Sequence, residues 1–468
     1  MRRHASILFF VSLTFVFSRP LVAQDSPAPR SAPSTATSSR EDFLKAADEV
    51  VKDMSAILFL PQLSPLKMSV RTREEIRAFV IRQMKEDKSE AERYAGERTL
   101  EKFGLVPKGF QLEPFLVELL TEQIAGLYDP KGHEFYIADW NNPDDQKMVM
   151  AHELAHALQD QHFQIEKWEE AAKPNDDAVL ARDAVLEGSA LAAMVDYLLK
   201  GTGRGVREVP EIDPELFIGD PTSSPVFAKA PQYIQDSLLF PYVSGLNFTQ
   251  AFLRANTGWA DLHKIFENPP ASTQHILHPE LYLNSTAPKT VSLPDLKPIV
   301  PAEWKKLEEN VLGEFGLREV LKQFLGKERA IKLATAWSGD RYATFEEPKT
   351  KSLMTIYRIR FASPEDAARF LGNYSEALEL KYSDRRDLFR RPNYFSFSTD
   401  EGGVFLRCAG DECAGLEGAG QETFDKLTTA MGWPAGRKRS PANGRTAVKT
   451  VVVSIPAWPD GIADYAAR

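Results

Sequence analysis

The stretch MVMAHELAHALQDQHF, residues 148–163, holds three of the chain's eight histidines. His152 and His156 are four apart. On an α-helix that spacing is about 400° of rotation, so both rings leave nearly the same face, one turn apart. Two imidazole nitrogens so placed can reach one ion at the ~2.0–2.1 Å that zinc takes. Glu153 is turned about 100° from His152 and cannot join the pair as a ligand. It can reach a water held by that ion, the position of the general base in an H-E-x-x-H pattern. The helix is expected on separate grounds. Asn142 suits an N-cap, Pro143 the first helical position, and Asp144 and Asp145 the positive end of the dipole.

A catalytic zinc takes three protein ligands and keeps one position open. His162 stands where H-E-x-x-H-x-x-G-x-x-H sites carry their third histidine, but Gln159 replaces the helix-breaking glycine. If the helix continues, His162 faces elsewhere. The better candidate is Glu187 in DAVLEGSALAAM, on a second expected helix. Gly188 removes bulk beside it, and Ala190, Ala192 and Ala193 permit close helix–helix approach. The expected metal set is therefore His152, His156 and Glu187 around one Zn2+ per chain. Glu153 is the expected general base. His278 is the first choice of oxyanion donor, with His275 and Tyr242 as alternatives. Asp160 and Asp183 are candidates for orienting the ligand histidines.

H-E-x-x-H followed by Glu187-Gly188-Ser189-Ala190 resembles the gluzincin (thermolysin-like) class of zinc metallopeptidases. The chain also resembles a group of poorly characterised exported prokaryotic H-E-x-x-H proteins. It does so through EQIAGLYDP (122–130), HELAHALQDQHF (152–163), LEGSA (186–190), FPYVSGLNF (240–248) and STQHILHPELY (272–282). That group tends to have Glu-Gln where this chain has Gln274-His275. This second resemblance covers roughly residues 60–345 and implies a peptidase-like fold but supplies no substrate. The gluzincin resemblance implies a zincin-like fold, a peptide or protein substrate, and an edge strand beside the zinc helix. EFYIAD, residues 134–139, is placed to be that strand. A peptide added to such an edge binds through main-chain hydrogen bonds.

Outward from the motif, the chain's 468 residues allow two or three domains, and 43% hydrophobic content allows a packed core throughout. Net charge is −9 with the signs well mixed, which leaves no electrostatic footprint for nucleic acid. Arg2 and Arg3 precede an apolar run, Ile7 to Phe17, then Leu21-Val22-Ala23. The run suits a cleaved export signal, cut after Ala23, and is short for a membrane span. A secreted or periplasmic protein without stable membrane insertion is expected. Ala409 and Glu412 flank Gly410-Asp411, a two-residue hairpin loop of the type II′ kind, and Cys408 and Cys413 would face each other as the next pair. In an exported protein that pair should be a disulfide.

The expected organisation is a signal at 1–23, a Pro/Ser-rich linker at 24–40, a metallopeptidase domain at 41–290, a small domain at 291–433 and a flexible tail at 434–468. The class is α+β: a mainly helical zincin-like domain with a small sheet, then an α+β C-terminal domain. Thr72 and Glu75 form a capping box, Gly132 is the residue expected at positive φ in the 129–132 turn, and helices are expected over 301–336. Residues 201–230 read as a long irregular loop. Two further functions share the same residues. One is a non-catalytic protein that zinc only stabilises; the other is a zinc hydrolase of a non-peptide amide or ester.

Overall fold

A computed structural model describes residues 40–123, 126–139, 143–211 and 225–433. The export signal, the linker up to residue 39, the Asn142 cap, residues 212–224 of the 201–230 loop and the 434–468 tail lie outside the described residues. Among those described, no helix is long and apolar enough to cross a membrane.

The chain is α+β. Its first part runs α1 (Arg40–Leu58), β1 (Lys67–Arg71), α2 (Arg73–Asp87), α3 (Glu90–Phe103), α4 (Leu112–Gln123), β2 (Gly126–Asp129), β3 (Glu134–Ala138), α5 (Pro143–Phe163), α6 (Ile165–Glu170) and α7 (Asp176–Leu198). There follow α8 (Pro225–Ala228), α9 (Gln232–Ala255), α10 (His263–Glu267), α11 (Thr273–Leu277) and α12 (Pro279–Leu283). Local chemistry sets several starts. Thr72 accepts from the Glu75 amide while Glu75 accepts from the Thr72 amide, closing the predicted capping box. Asn175 caps α7 by accepting from the Ala178 amide.

Two expectations about the first sheet are corrected. Its order is β1-β3-β2, so Glu134–Ala138 is the central strand and not an edge. The alternating Met68 and Val70 belong to β1, which pairs in parallel with β3, Met68 opposite Phe135 and Val70 opposite Ile137. The parallel pairing is made possible by the α2–α4 crossover, a long-range choice that a local strand pattern does not carry. The second correction concerns the turn. Positive φ falls on His133 (50°), not Gly132. Gly132 is needed for space: a Cβ there would stand 2.7 Å from Asp129 Oδ2. Asp129 Oδ1 meanwhile accepts from the Lys131 amide at 3.0 Å.

The later part holds β4 (Lys305–Asn310), α13 (Gly313–Leu325), α14 (Lys327–Ala334), β5 (Trp337–Glu346), β6 (Leu353–Phe361), α15 (Pro364–Lys381), β7 (Arg386–Arg391), β8 (Tyr394–Thr399), β9 (Gly402–Ala409), β10 (Glu412–Ala419) and α16 (Gln421–Ala430). The seven-stranded sheet has the order β4-β5-β6-β10-β9-β8-β7, with every pairing antiparallel. Residues 305–310, expected to be helical, form edge strand β4. Charge on KKLEEN hides a strand that is half solvated, as edge strands commonly are. β7, equally charged, escapes sequence reading for the same reason. At the β9–β10 hairpin Gly410 takes φ 61°, Cys408 faces Cys413, and the two form a disulfide.

One apolar core gathers α1, α2, α4, α5, α7 and α9 around the small sheet. The large sheet carries a core on each face. One, with Leu321, Phe361, Phe370 and Leu406, also takes Phe103 and Leu105 from the end of α3. The other, with Phe345, Ile356 and Phe405, is covered by Phe424 and Leu427 of α16.

Candidate metal centre

α5 and α7 lie side by side and bring His152, His156 and Glu187 together. The three are 3%, 1% and 5% exposed, so the group is sealed in the helical core. The two Nε2 atoms are 3.2 Å apart, and Glu187 Oε2 lies 2.9 Å from His152 Nε2 and 3.4 Å from His156 Nε2. A tetrahedron with corners ~2.05 Å from its centre, the zinc–ligand length, has edges of about 3.3 Å. The triangle thus has the dimensions of one face of a four-coordinate site. Two neutral imidazoles and a carboxylate are also a donor set that divalent metals accept. This buried group could hold a metal ion.

Two glycines seat α9 closely against α7. A Cβ on Gly188 would fall 2.0 Å from the carbonyl carbon of Gly245 in α9, and one on Gly245 would fall 2.0 Å from the Ala184 carbonyl oxygen. α9 therefore presses backbone to backbone against α7 next to Glu187. On the α5 side, the Gln159 side-chain amide donates to Ser189 Oγ at 2.8 Å, which fixes the rotation of one helix against the other.

The charges support each other. Burial alone would push the Glu187 carboxyl up, but the His156 charge and the hydrogen bonds from both imidazoles hold it down at about 2. Burial pulls His156 down, and the Glu187 carboxylate outweighs it, so the imidazole sits above its ordinary value. A bound cation takes over the role those protons play, since metal binding to such ligands displaces protons.

Glu153, 1% exposed, does not join the triangle, as its helical phase requires. Its Oε2 accepts from the Tyr128 amide at 2.8 Å, a contact with strand β2 that sequence reading missed. Of the three candidate oxyanion donors, Tyr242 on α9 is the one stacked beside the triangle: its ring centroid is 6.1 Å from that of His152 at an interplanar angle of 27°. His275 spends both nitrogens on backbone, Nε2 at 2.8 Å from the Thr286 oxygen and Nδ1 accepting from the Ala271 amide. His278 places Nε2 2.8 Å from Glu314 of α13 and Nδ1 3.7 Å from Glu280. His162 meets the Pro61 carbonyl at 2.8 Å and stands apart from the triangle.

Asp160 holds a tyrosine, a histidine and a backbone amide. Asp160 Oδ2 accepts from the Tyr128 hydroxyl at 2.8 Å and lies 2.7 Å from His133 Nδ1; its Oδ1 accepts from the Ile165 amide. Asp183, one turn before Glu187, is held well above the usual carboxylate range, first by burial and then by the Glu169 carboxylate. Lone glycines inside helices were the readable sign of the α7–α9 contact, since glycine there costs about 1 kcal/mol and needs a reason. Gly188 is expected only to remove bulk beside Glu187; the structure gives it a partner in Gly245.

Residues 302–428, which cover the large sheet and its helices, match a family described as a domain of unknown function, DUF8575. No curated protein matches the chain. Among solved structures, a presumed hydrolase with a novel fold from Chloroflexus aurantiacus is similar at 16% identity and a TM-score of 0.32. The match covers 53% of this chain and 89% of that one. A likeness of that size establishes no shared fold or activity.

Proposed function

We propose that the chain is an exported zinc-dependent peptidase of the gluzincin type, in a zincin-like helical fold. The observation that carries the proposal is the convergence of His152, His156 and Glu187 to ligand spacing with Glu153 on the neighbouring helix position. Bound there, zinc would supply Lewis acidity and an acidic water at neutral pH. Glu153 is the general base: its carboxylate accepts a proton from the attacking water and returns it to the leaving nitrogen. The Tyr242 hydroxyl is the donor for the oxyanion, because its ring already rests on His152. The Cys408–Cys413 disulfide supports export, since such bonds persist in oxidising compartments.

A second reading has one observation in its favour. The three ligands and Glu153 are nearly sealed from solvent, as in a site whose ion only ties two helices together. The test separates the two readings. Metal content is measured by elemental analysis on the wild type and on Glu187→Ala, and peptide hydrolysis on the wild type and on Glu153→Gln. One zinc per chain, lost in Glu187→Ala, with hydrolysis abolished in Glu153→Gln, supports the peptidase. Zinc without hydrolysis of any peptide or protein leaves the structural ion. No bound metal after zinc is added back ends both readings.

A further inference from the structure

Tyr128 touches the zinc helix twice. Its backbone amide donates to Glu153 Oε2 at 2.8 Å, and its hydroxyl donates to Asp160 Oδ2 at 2.8 Å. Glu153 and Asp160 are seven residues apart on α5, so they lie about two turns apart on nearly the same side. One residue of β2 is therefore laid along two turns of the helix and pinned at both ends. Tyr128 is 3% exposed and its hydroxyl is held well above its ordinary pKa, by burial first and by the Asp160 charge next, so it stays a donor. Asp160 is itself fixed from two further directions. The Ile165 amide donates to Oδ1, and His133, at the far end of the same hairpin turn, sets Nδ1 2.7 Å from Oδ2.

The pairing of β2 explains which way the amide points. β2 pairs with β3 on one side only, and the Tyr128 amide emerges on the other side, toward α5. A backbone N–H cannot rotate independently of its strand. Its aim at Glu153 is set by where the strand sits: the pairing with β3 places the strand, and the phenol's hydrogen bond to Asp160 ties it to α5. A donor held in that way orients the carboxylate that accepts from it.

We propose that Tyr128 is the positioning residue of Glu153, its amide aimed by the hydroxyl's anchor on Asp160. The proposal rests on the reading of Glu153 as the general base, but its geometry can be tested without activity. The probe is the Tyr128 amide signal in protein labelled with 15N-tyrosine, assigned by its displacement in Glu153→Gln. In Asp160→Asn the amide is expected to move toward its Glu153→Gln position and to exchange with solvent roughly tenfold faster, the loss of one charge-assisted hydrogen bond. Zinc content is expected to stay at the wild-type value. If Asp160→Asn does not fold, Tyr128→Phe labelled with 15N-phenylalanine reports the same amide. An amide signal and exchange rate unchanged in the folded variant would overturn the proposal.

On a substrate the wild type cleaves, kcat is expected to fall roughly tenfold in Asp160→Asn with KM unchanged. An equal kcat per zinc-loaded chain would also overturn it. Should the wild type cleave nothing, the peptidase reading fails, and the amide measurement still decides whether Asp160 aims the Tyr128 amide.

Discussion

Gly188 and Gly245 meet backbone to backbone: the Cβ that Gly188 lacks would stand 2.0 Å from the Gly245 carbonyl carbon. That contact lies beside the proposed ligand Glu187 and seats α7 against α9. Gly188→Ala must drive the helices apart, and overpacking of this kind costs about 2–3 kcal/mol. The expected result is a melting temperature several degrees lower, with weaker zinc binding because Glu187 moves with its helix. Calorimetry together with zinc titration reads both; a variant that melts and binds like the wild type would show that the helices slide freely.

Chelation tests the ion's structural share. A ligand that binds only the folded state stabilises it by RT ln(1 + [L]/Kd), about 4 kcal/mol at a thousandfold excess over Kd. If the proposed zinc is bound, removing it from the wild type lowers the melting temperature. The same treatment of Glu187→Ala should change little, because that variant has already lost its carboxylate ligand.

Tyr242→Phe keeps the ring on His152 and removes only the hydroxyl. If that hydroxyl stabilises the oxyanion, kcat falls by about 10²–10³ while KM and zinc content hold. Steady-state kinetics on a cleaved peptide decides; a drop confined to KM would point to substrate contact instead.

His278 gives a pH signature. Its hydrogen bond to Glu314 raises the imidazole above its ordinary value, and burial works against that rise. A folded value above the unfolded one means stability that is fully present below about 6.5 and lost as pH climbs through the folded value. His278→Gln should therefore lower the melting temperature more at pH 5.5 than at pH 9. Equal losses at both would show that the Glu314 contact does not depend on the imidazole charge.

Much of this was legible in the sequence because it is local. The four-residue spacing of His152 and His156, the Thr72 capping box and the Gly410 hairpin that sets Cys408 against Cys413 all follow from short-range geometry. Glu187 could be nominated because Gly188 and the alanines around it announce a close helix contact. Strands β4 and β7 escaped because edge strands take charge that imitates a solvated helix or loop.

By itself the sequence determined the helix that carries the H-E-x-x-H motif, the side of it that each histidine and Glu153 leave, and the α+β class. Only the tertiary structure decided that Glu134–Ala138 is a central strand, that Tyr242 stacks beside His152 while His278 pairs with Glu314, and that Tyr128 reaches Glu153 and Asp160. The physical reason is range. Helix phase and turn chemistry are fixed within a few residues, whereas strand order and partner choice depend on which distant surfaces bury one another, and no local pattern records that.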